Sequence, residues 1–526
     1  MNKYLKNSWL ESFIAERKII KIIVIYGIII SLAQFFYNRG LCIDEAALAL
    51  NIMHRSALEL LKPLDYAQTA PPLFLLIEKF FSTLIPNSEY GLRLFPLLSF
   101  WASLLLFVCL VRKTVNDKWS VIIALTIFCS SRTFYRYSNE VKPYMTEMFM
   151  LLGIFWLTVK DFRIERAKYL ALGIAGIIAV FLVNASPFIL ASSGMFLLYK
   201  IFACNERPNG SLAAALRPLL FVFCSWAVAA ATYYLLFVHG NPLKEFMKDF
   251  WIRDHGFLIL NPFNSGFADV VTKALSSIFS VHFSLEQFTV YPSGKTVLMC
   301  LVCAFAGLYV LGIIRIIKLK KASLLILFCA PVIIHLAMSA LQLYPVDRRL
   351  MLYTFPGIIF LCSMGIGYIL ERIRQREMFC IIMLLILGLA GVVKFPLKHV
   401  ETKACLEYIE SKTEKGDKSS VYMLNTHLHS TRYYMDTGHV NERINIINSS
   451  DLDYQYLSDL ILLMSHRPFN IPDYVYSFKG KTWFMLSNLE PTSTAEILNK
   501  LDSLGMKKLD EYRNKGVRAY LYDCGE

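Results

Sequence analysis

The chain has 526 residues, is 56% hydrophobic and only 18% charged, and carries a formal net charge of +14. Soluble domains lie nearer a quarter charged, so the composition excludes an ordinary soluble enzyme and indicates a polytopic membrane protein with some non-membrane remainder. Nucleic acid is not the reason for the positive charge: many Lys and Arg fall in short links between apolar runs, where a membrane protein keeps its cytoplasmic positives.

The first apolar segment, residues 19–37 (IIKIIVIYGIIISLAQFFY), is long enough to cross a bilayer and lacks a small-residue cleavage site, so it reads as an anchor. Further apolar segments follow at 92–111, 119–134, 141–159, 168–184, 186–203, 218–238, 296–317, 322–343, 350–370 and 378–396, which makes about eleven spans. The links alternate in character. Arg112-Lys113, Lys160 to Lys168, Arg207 and Arg217, Arg315 to Lys321 and Arg372 to Arg376 form one short, basic set, and the N-terminal Lys3, Lys6, Arg17 and Lys18 share its side. That set is expected to be cytoplasmic. The opposite set holds residues 38–91, 132–142, the turn at Asn184, 239–295 and 344–349, and an odd span count adds the tail from about 397. Positions near 113, 165, 318 and 374 are then inside, and those near 65, 140, 265 and 450 outside. The outer side holds the large loops, so chemistry belongs there.

The first outer loop begins NRGLCIDEAALAL, with the acidic pair Asp44-Glu45 where the chain leaves the membrane. Two amphipathic helices, roughly 45–61 and 72–85, fit the loop and are expected to lie along the membrane surface. Their polar faces carry His54, Arg55 and Glu59, and Glu78 and Lys79. Between them LDYAQTAPP, with Tyr66 and Gln68, is a turn, and Pro71-Pro72 opens the second helix. Asp44 has two readings: an N-cap with Glu45 as a first-turn acid, or a base with a metal-binding or orienting partner. The second outer loop, SSRTFYRYSNEVKPYMTE, carries Arg132, Arg136, Glu140, Lys142 and Glu147. Interfacial snorkelling accounts for its cations and tyrosines but poorly for Glu140. The third outer cluster, LYPVDRRLMLYTFP, carries Tyr344, Asp347, Arg348 and Arg349 on the side that disfavours arginine. Paired guanidinium forks suit a phosphate; headgroup anchoring or an Asp347–Arg pair is the plainer alternative.

Beyond 397 the chain changes character. SSVYMLN, RINIIN, KTWFMLS and VRAYLYDC read as strands, and 429–436, 451–465 and 493–505 as helices, which gives a small layered α/β domain. It has no G-x-G-x-x-G after a strand and no P-loop. Most of the twelve cysteines lie inside apolar runs; for Cys405 and Cys524, near the ends of the tail, a disulfide and two thiols both fit.

Together, an acidic pair after the first span, paired surface helices, a Tyr/Arg/Glu/Lys second loop and a Y-P-x-x-R-R-x-x-x-Y-x-x-P element resemble the C-type (GT-C) polyprenyl-phosphate-sugar-dependent glycosyltransferases. The bacterial Rgt-type group is the nearest match, with the aminoarabinose transferases of lipid A and the protein O-mannosyltransferases further off. The resemblance spans roughly residues 20–395. It implies a polytopic α-helical GT-C domain over 1–396 in a bacterial inner membrane and an extracytoplasmic α/β domain over 397–526. It also implies inverting transfer of a hexosyl or pentosyl unit from a polyprenyl-phosphate donor to a hydroxyl of a lipid-linked or other envelope acceptor. Membrane lipids are partners and nucleic acid is not. Asp44 takes the role of base beside Glu45, and Lys142, Arg348 and Arg349 lie near the lipid phosphate. Glu140, Arg136, Tyr344, His54, Arg55, Tyr66 and Gln68 complete the candidate substrate contacts. No cofactor is fixed; a divalent Mg or Mn held by Asp44 and Glu140 remains open, since oxygen-only ligands lack a set spacing. The alternatives are a polysaccharide polymerase or ligase using diphosphate-linked glycans and a lipid-linked-sugar flippase. A flippase would show mid-membrane ionisable groups, of which His335 is the chief candidate.

Overall fold

The computed structural model describes residues 2–86, 88–204, 211–254, 256–259, 267–279, 294–392, 395–398, 401–414, 418–423, 428–440, 443–446, 480–487, 491–514 and 516–525. In chain order the helices are α1 (Asn2–Tyr37), α2 (Ile43–His54), α3 (Pro72–Leu84), α4 (Glu89–Thr114), α5 (Lys118–Ser130), α6 (Arg132–Tyr137), α7 (Tyr144–Val159), α8 (Glu165–Leu182) and α9 (Ser186–Phe202). They continue as α10 (Leu212–Tyr233), α11 (Leu243–Arg253), α12 (Phe267–Phe279), α13 (Gly294–Lys318), α14 (Ser323–Ala340), α15 (Phe355–Leu370) and α16 (Arg376–Val392). The tail adds α17 (Thr402–Lys412), β1 (Ser419–Met423), α18 (Leu428–Asp436), β2 (Ile444–Ile446), β3 (Lys481–Ser487), α19 (Pro491–Ser503), β4 (Lys507–Asn514) and β5 (Val517–Asp523).

Every expected span is a helix. Among the described residues six are long and apolar enough to cross a membrane: Glu16–Tyr37, Glu89–Thr114, Leu212–Val238, Thr296–Lys318, Ser323–Ala340 and Leu352–Leu370. Helices α5, α7 and α9 are apolar but shorter. The protein is thus a polytopic helical membrane protein with an α/β tail. The expected helix at 451–465 lies outside the described residues.

The chain forms two compact units. Unit 1 comprises residues 1–36, 70–74 and 94–396; unit 2 comprises 37–69, 75–93 and 397–526. The first outer loop therefore folds with the tail.

Unit 1 is held by close helix packing. Helices α13 and α15 touch at glycines: a Cβ on Gly312 would collide with the backbone of Leu361, and one on Gly365 with that of Leu308. Small residues let helices approach in lipid, where the hydrophobic effect gives little drive to association. Buried Arg315 ties α13 to its neighbours, with Nη1 donating to Ser120 Oγ (2.9 Å) and Met364 O (3.1 Å) and Nη2 to Asp117 (3.2 Å) and Glu371. An aromatic chain runs through the interior, Phe107 and Phe100 stacking on Phe128 at 4.8 and 6.1 Å between ring centroids.

In unit 2 the sheet order is β2-β1-β3-β5-β4. The β2-β1-β3 pairs are parallel, and β3-β5 and β5-β4 are antiparallel. Helix α19 covers one face, packing Ile497 and Leu501 against Tyr422, Phe484, Leu486, Tyr520 and Tyr522. On the other face Tyr408 of α17 meets Trp483 and Tyr512 at 6.0 and 4.8 Å between centroids. The four expected strands form, and β4 joins them as an edge. Its KKLDEYRN lacks the apolar alternation of a strand because one side has no sheet neighbour, and lysines guard such edges against mispairing. Cys405 and Cys524 are unpaired thiols, so the disulfide alternative falls; Cys405 is fully buried on α17.

Candidate active site

Helix α2 opens at Cys42, which takes the N-cap position, so Asp44 is not the cap. The reason is Glu45, whose Oε2 reaches back to accept from Cys42 N at 3.2 Å, as the third residue of a capping box does. Asp44 lies instead in the first turn, half-buried, where the helix dipole favours an anion.

The two carboxylates meet different surroundings. Glu45 is fully buried between two buried arginines, Arg39 Nη1 at 2.6 Å and Arg93 Nη2 at 3.3 Å. Burial alone would raise its pKa. The Arg39 and Arg93 charges, with hydrogen bonds from Arg39 and Cys42 N, outweigh burial and hold Glu45 far below the usual carboxylate range. Arg93 also donates to Arg39 O at 2.6 Å, which fixes the strand entering α2.

Asp44 faces α18, which packs on α2. Its charge acts on His429, a buried imidazole whose pKa is pushed down to about 4 by burial, with Arg432 lowering it further and Asp44 opposing. His429 is therefore neutral at pH 7. Its ring lies 4.5 Å, centroid to centroid, from that of Tyr66. Tyr66 and Ala67 both hold left-handed backbone, φ 59° and 50°, a conformation that costs a non-glycine residue about 1–2 kcal/mol. Such strain gathers at functional sites. Gln68, buried, donates to Tyr66 O at 3.2 Å and supports that turn.

Packing of α18 on the first loop is reinforced by Tyr434 Oη, which accepts from Leu41 N at 2.7 Å, and by Ser430 Oγ, which donates to Leu41 O at 3.1 Å. Buried Glu89 meets Lys403 at 3.3 Å and His439 at 3.8 Å. His54 pairs with Asp436 at 3.1 Å. Arg55 pairs with Asp65 at 2.7 Å and donates to Pro63 O at 2.8 Å. By organising the chain from 55 to 65, Arg55 ends the helix expected over 45–61 at His54, leaving one 3-10 turn at Glu59–Leu61. Helix α3 also departs from expectation. Lys79 Nζ donates to Ile52 O (2.8 Å) and Met53 O (3.0 Å) at the end of α2, while Glu78, expected on a polar face, is fully buried with no hydrogen-bond partner on either oxygen.

The remaining predicted residues belong to unit 1, where the second and third outer loops converge. Arg136 Nε lies 3.5 Å from Glu140, and its guanidinium covers the Tyr137 ring at 5.5 Å. Arg349 lies 3.5 Å from Asp347 and stacks over Trp251 at 5.7 Å. Burial, with Glu140 and Asp347 adding and Arg136 and Arg349 opposing, pushes the Tyr137 phenol up. Arg348, exposed, joins the charges of Arg136 and Arg349 beside the same phenol. Three arginines thus gather with two acids. Lys142 and Glu140 are buried, and the Lys142 amide donates to Glu140 O at 2.7 Å. Tyr344 packs its ring 5.0 Å from Phe188 and 5.1 Å from His335. Both His335 nitrogens are engaged, Nδ1 with Tyr353 Oη and Nε2 with Pro345 O, each at 3.0 Å, so it braces the third loop and has no vacant nitrogen for a proton relay. Buried Glu147 accepts from the amides of Asn184 and Ala185 where α9 begins.

Among the described residues no three His, Cys, Asp or Glu side chains gather as a metal set. No step is routed through a metal.

No protein-family model and no curated protein matches the sequence. Solved structures do. The chain is similar to ArnT. One is the crystal structure of ArnT from Cupriavidus metallidurans bound to undecaprenyl phosphate, at 12% identity over 98% of both chains with a TM-score of 0.49. The same protein in its apo state gives a TM-score of 0.40 at the same identity and coverage.

Proposed function

We propose that the protein is an integral-membrane glycosyltransferase that moves a monosaccharide from a polyprenyl phosphate to a hydroxyl of an envelope acceptor. The observation that carries this reading is the gathering of Arg136, Arg348 and Arg349 from two separate loops in a chain otherwise built of apolar helices. Clustered guanidinium groups suit an anion with several oxygens, and a sugar-bearing lipid phosphate is such an anion at such a depth.

The chemistry needs three things. An acceptor hydroxyl must lose its proton, its oxygen must bond to the anomeric carbon, and the bond from that carbon to the phosphate oxygen must break with the electron pair leaving on the lipid phosphate. Asp44, half-buried in the first turn of α2, takes the proton. Arginine charges stabilise the negative charge developing on the phosphate. Glu45 holds α2 by its arginine pair and takes no proton. A single displacement inverts the anomeric centre and leaves no covalent intermediate. The acceptor faces outward, on the side opposite the short basic links.

Undecaprenyl phosphate, the lipid in the ArnT structure, is the carrier to test first. The assay is transfer of a labelled sugar from that carrier by the purified full chain in nanodiscs. Asp44→Asn keeps the shape of the side chain and removes the base, and is expected to cost at least about a hundredfold in turnover at unchanged protein level. Near-normal turnover of Asp44→Asn would remove Asp44 from the mechanism.

A further inference from the structure

A hollow of about 560 Å³ opens in unit 1 among the ends of α4, α7, α8 and α9 and the link from α13 to α14. All these ends belong to the short basic links. Six lysines line it: Lys113, Lys160, Lys168, Lys200, Lys320 and Lys321. Its carboxylates are Asp161, taken in an ion pair by Lys113, and Glu165, which accepts from the Tyr169 hydroxyl. Lys321 Nζ donates to Thr114 O at 2.8 Å, which ties the α13–α14 link to the end of α4. Lys320 holds left-handed backbone at φ 57°, a strained setting for a residue with a side chain. Six cations against two acids is an excess that an anion would offset.

The rule that membrane proteins keep basic residues on one side explains why these links are basic. It does not explain why lysines from five separate segments converge on one hollow. Nor does it explain the choice of residue: Arg112, Arg163 and Arg166 lie on the same links, are exposed, and do not line it. Lysine offers a compact, mobile point charge, suited to a group that presents oxygens in no fixed plane. The lining also carries the apolar side chains of Val159, Phe196, Leu197, Ile201 and Leu324. A ligand that matches both parts has a phosphate at one end and hydrocarbon at the other. Basic hollows between spans at this face are where anionic headgroups are held.

We propose that this six-lysine hollow binds the phosphate headgroup of an anionic membrane lipid. The proposal is independent of the transferase reading, since it involves none of those residues. The shared chemistry is a phosphate group, which a lipid or a free phosphate could bring, and the apolar side chains in the lining favour the lipid.

The test uses the full chain in phosphatidylcholine nanodiscs doped with fluorescent phosphatidylglycerol, with retention of the labelled lipid read as a function of its mole fraction. Lys160→Gln, Lys200→Gln and Lys320→Gln are combined and compared with a charge-matched control, Arg112→Gln with Arg163→Gln and Arg166→Gln. Each lysine near a membrane surface contributes about fivefold in lipid binding, so the hollow variant should lose at least about tenfold while the control stays within about twofold. Replacing the same three lysines by arginine should restore charge but only part of the binding. Thermal unfolding in detergent checks that the variants fold, and single Lys320→Gln, expected to lose about fivefold, stands in if the triple does not. Equal losses in the hollow variant and the control would mean a diffuse belt of charge and would overturn the proposal. So would wild-type protein that fails to prefer phosphatidylglycerol over phosphatidylcholine. If inorganic phosphate raises the unfolding temperature of wild type but not of the hollow variant while lipid preference is absent, the ligand is a free phosphate and the lipid assignment is wrong.

Discussion

Glu45→Gln should unfold unit 2 before it affects chemistry. The substitution leaves the side chain's shape and removes its charge from between Arg39 and Arg93, which contact it at 2.6 and 3.3 Å with all three groups buried. Breaking a buried ion pair by neutralising one partner costs about 3–5 kcal/mol, and here two guanidinium groups lose their counterion at once. Against a total stability of about 5–15 kcal/mol that is about a fifth or more. The same loss corresponds to a fall in unfolding temperature of roughly 10 °C for a unit of this size. The pH dependence follows from the sign of the shift. Glu45 has its pKa depressed in the folded chain, so its contribution is present above the unfolded value of about 4.3 and is lost as pH falls through the folded value. The gap between wild type and Glu45→Gln should therefore be constant from neutral pH down to about 5 and narrow below it. Thiol-reactive dye fluorescence measures it on a purified chain in which Cys405 is the only cysteine left, since Cys405 of unit 2 is fully buried and becomes reactive on unfolding. An unchanged unfolding temperature with abolished sugar transfer would refute the reasoning and return Glu45 to the reacting groups.

Three further outcomes are expected. Arg348→Ala and Arg349→Ala should each raise the KM for polyprenyl-phosphate donor by about tenfold or more, the weight of a charged hydrogen bond, with little change in unfolding temperature; unchanged donor dependence in both would remove the phosphate contact. Glu78 is fully buried, and burial raises its pKa well above the usual carboxylate value. A raised folded pKa means that stability is complete below the unfolded value and falls as pH rises, so Glu78→Gln should unfold at a higher temperature than wild type at pH 7 and equally at pH 4, as a pH series of melting curves will show. Gly365→Leu should separate α15 from α13, where even a Cβ meets the Leu308 backbone, and lower the unfolding temperature by several degrees; an unchanged melt would mean that the two helices are not in contact.

What the sequence disclosed followed from how strongly each segment's burial shapes its pattern. The expected spans are helices, and six among the described residues are long and apolar enough to cross a membrane; a segment in hydrocarbon must be apolar throughout, which leaves a continuous signal. The strands at 419–423, 481–487 and 517–523 were visible because they lie inside the sheet. Edge strand Lys507–Asn514 and helix Thr402–Lys412 were not, since each buries only part of its surface and keeps a mostly polar composition. Glu78 was misplaced by the opposite error: a charged residue on an amphipathic stripe reads as exposed, and only the packed chain reveals that α3 is covered on that side too. The union of the first loop with the tail was beyond reach. Leu41 and Tyr434, or Glu89 and Lys403, are hundreds of residues apart, and no local pattern records such a pair. His429 was missed for the same reason, since a histidine in a polar nine-residue helix stands out only once Asp44 and Tyr66 are beside it.

The Asp44-Glu45 pair shows how far a motif can be read without coordinates. Two adjacent carboxylates look equivalent in sequence and invite a shared role. On a helix they point about 100° apart, so they cannot meet the same surroundings. Glu45 turns inward to the arginines that precede and follow it, Arg39 and Arg93, and closes the start of α2 through Cys42. That leaves it charged and fully buried between two guanidinium groups. Asp44 turns toward His429, in half-exposed surroundings where a neutral imidazole and a strained Tyr66 turn replace the paired cations. On the proposed reading a base and its brace come from one dipeptide, with the buried arginines holding Glu45 as the brace.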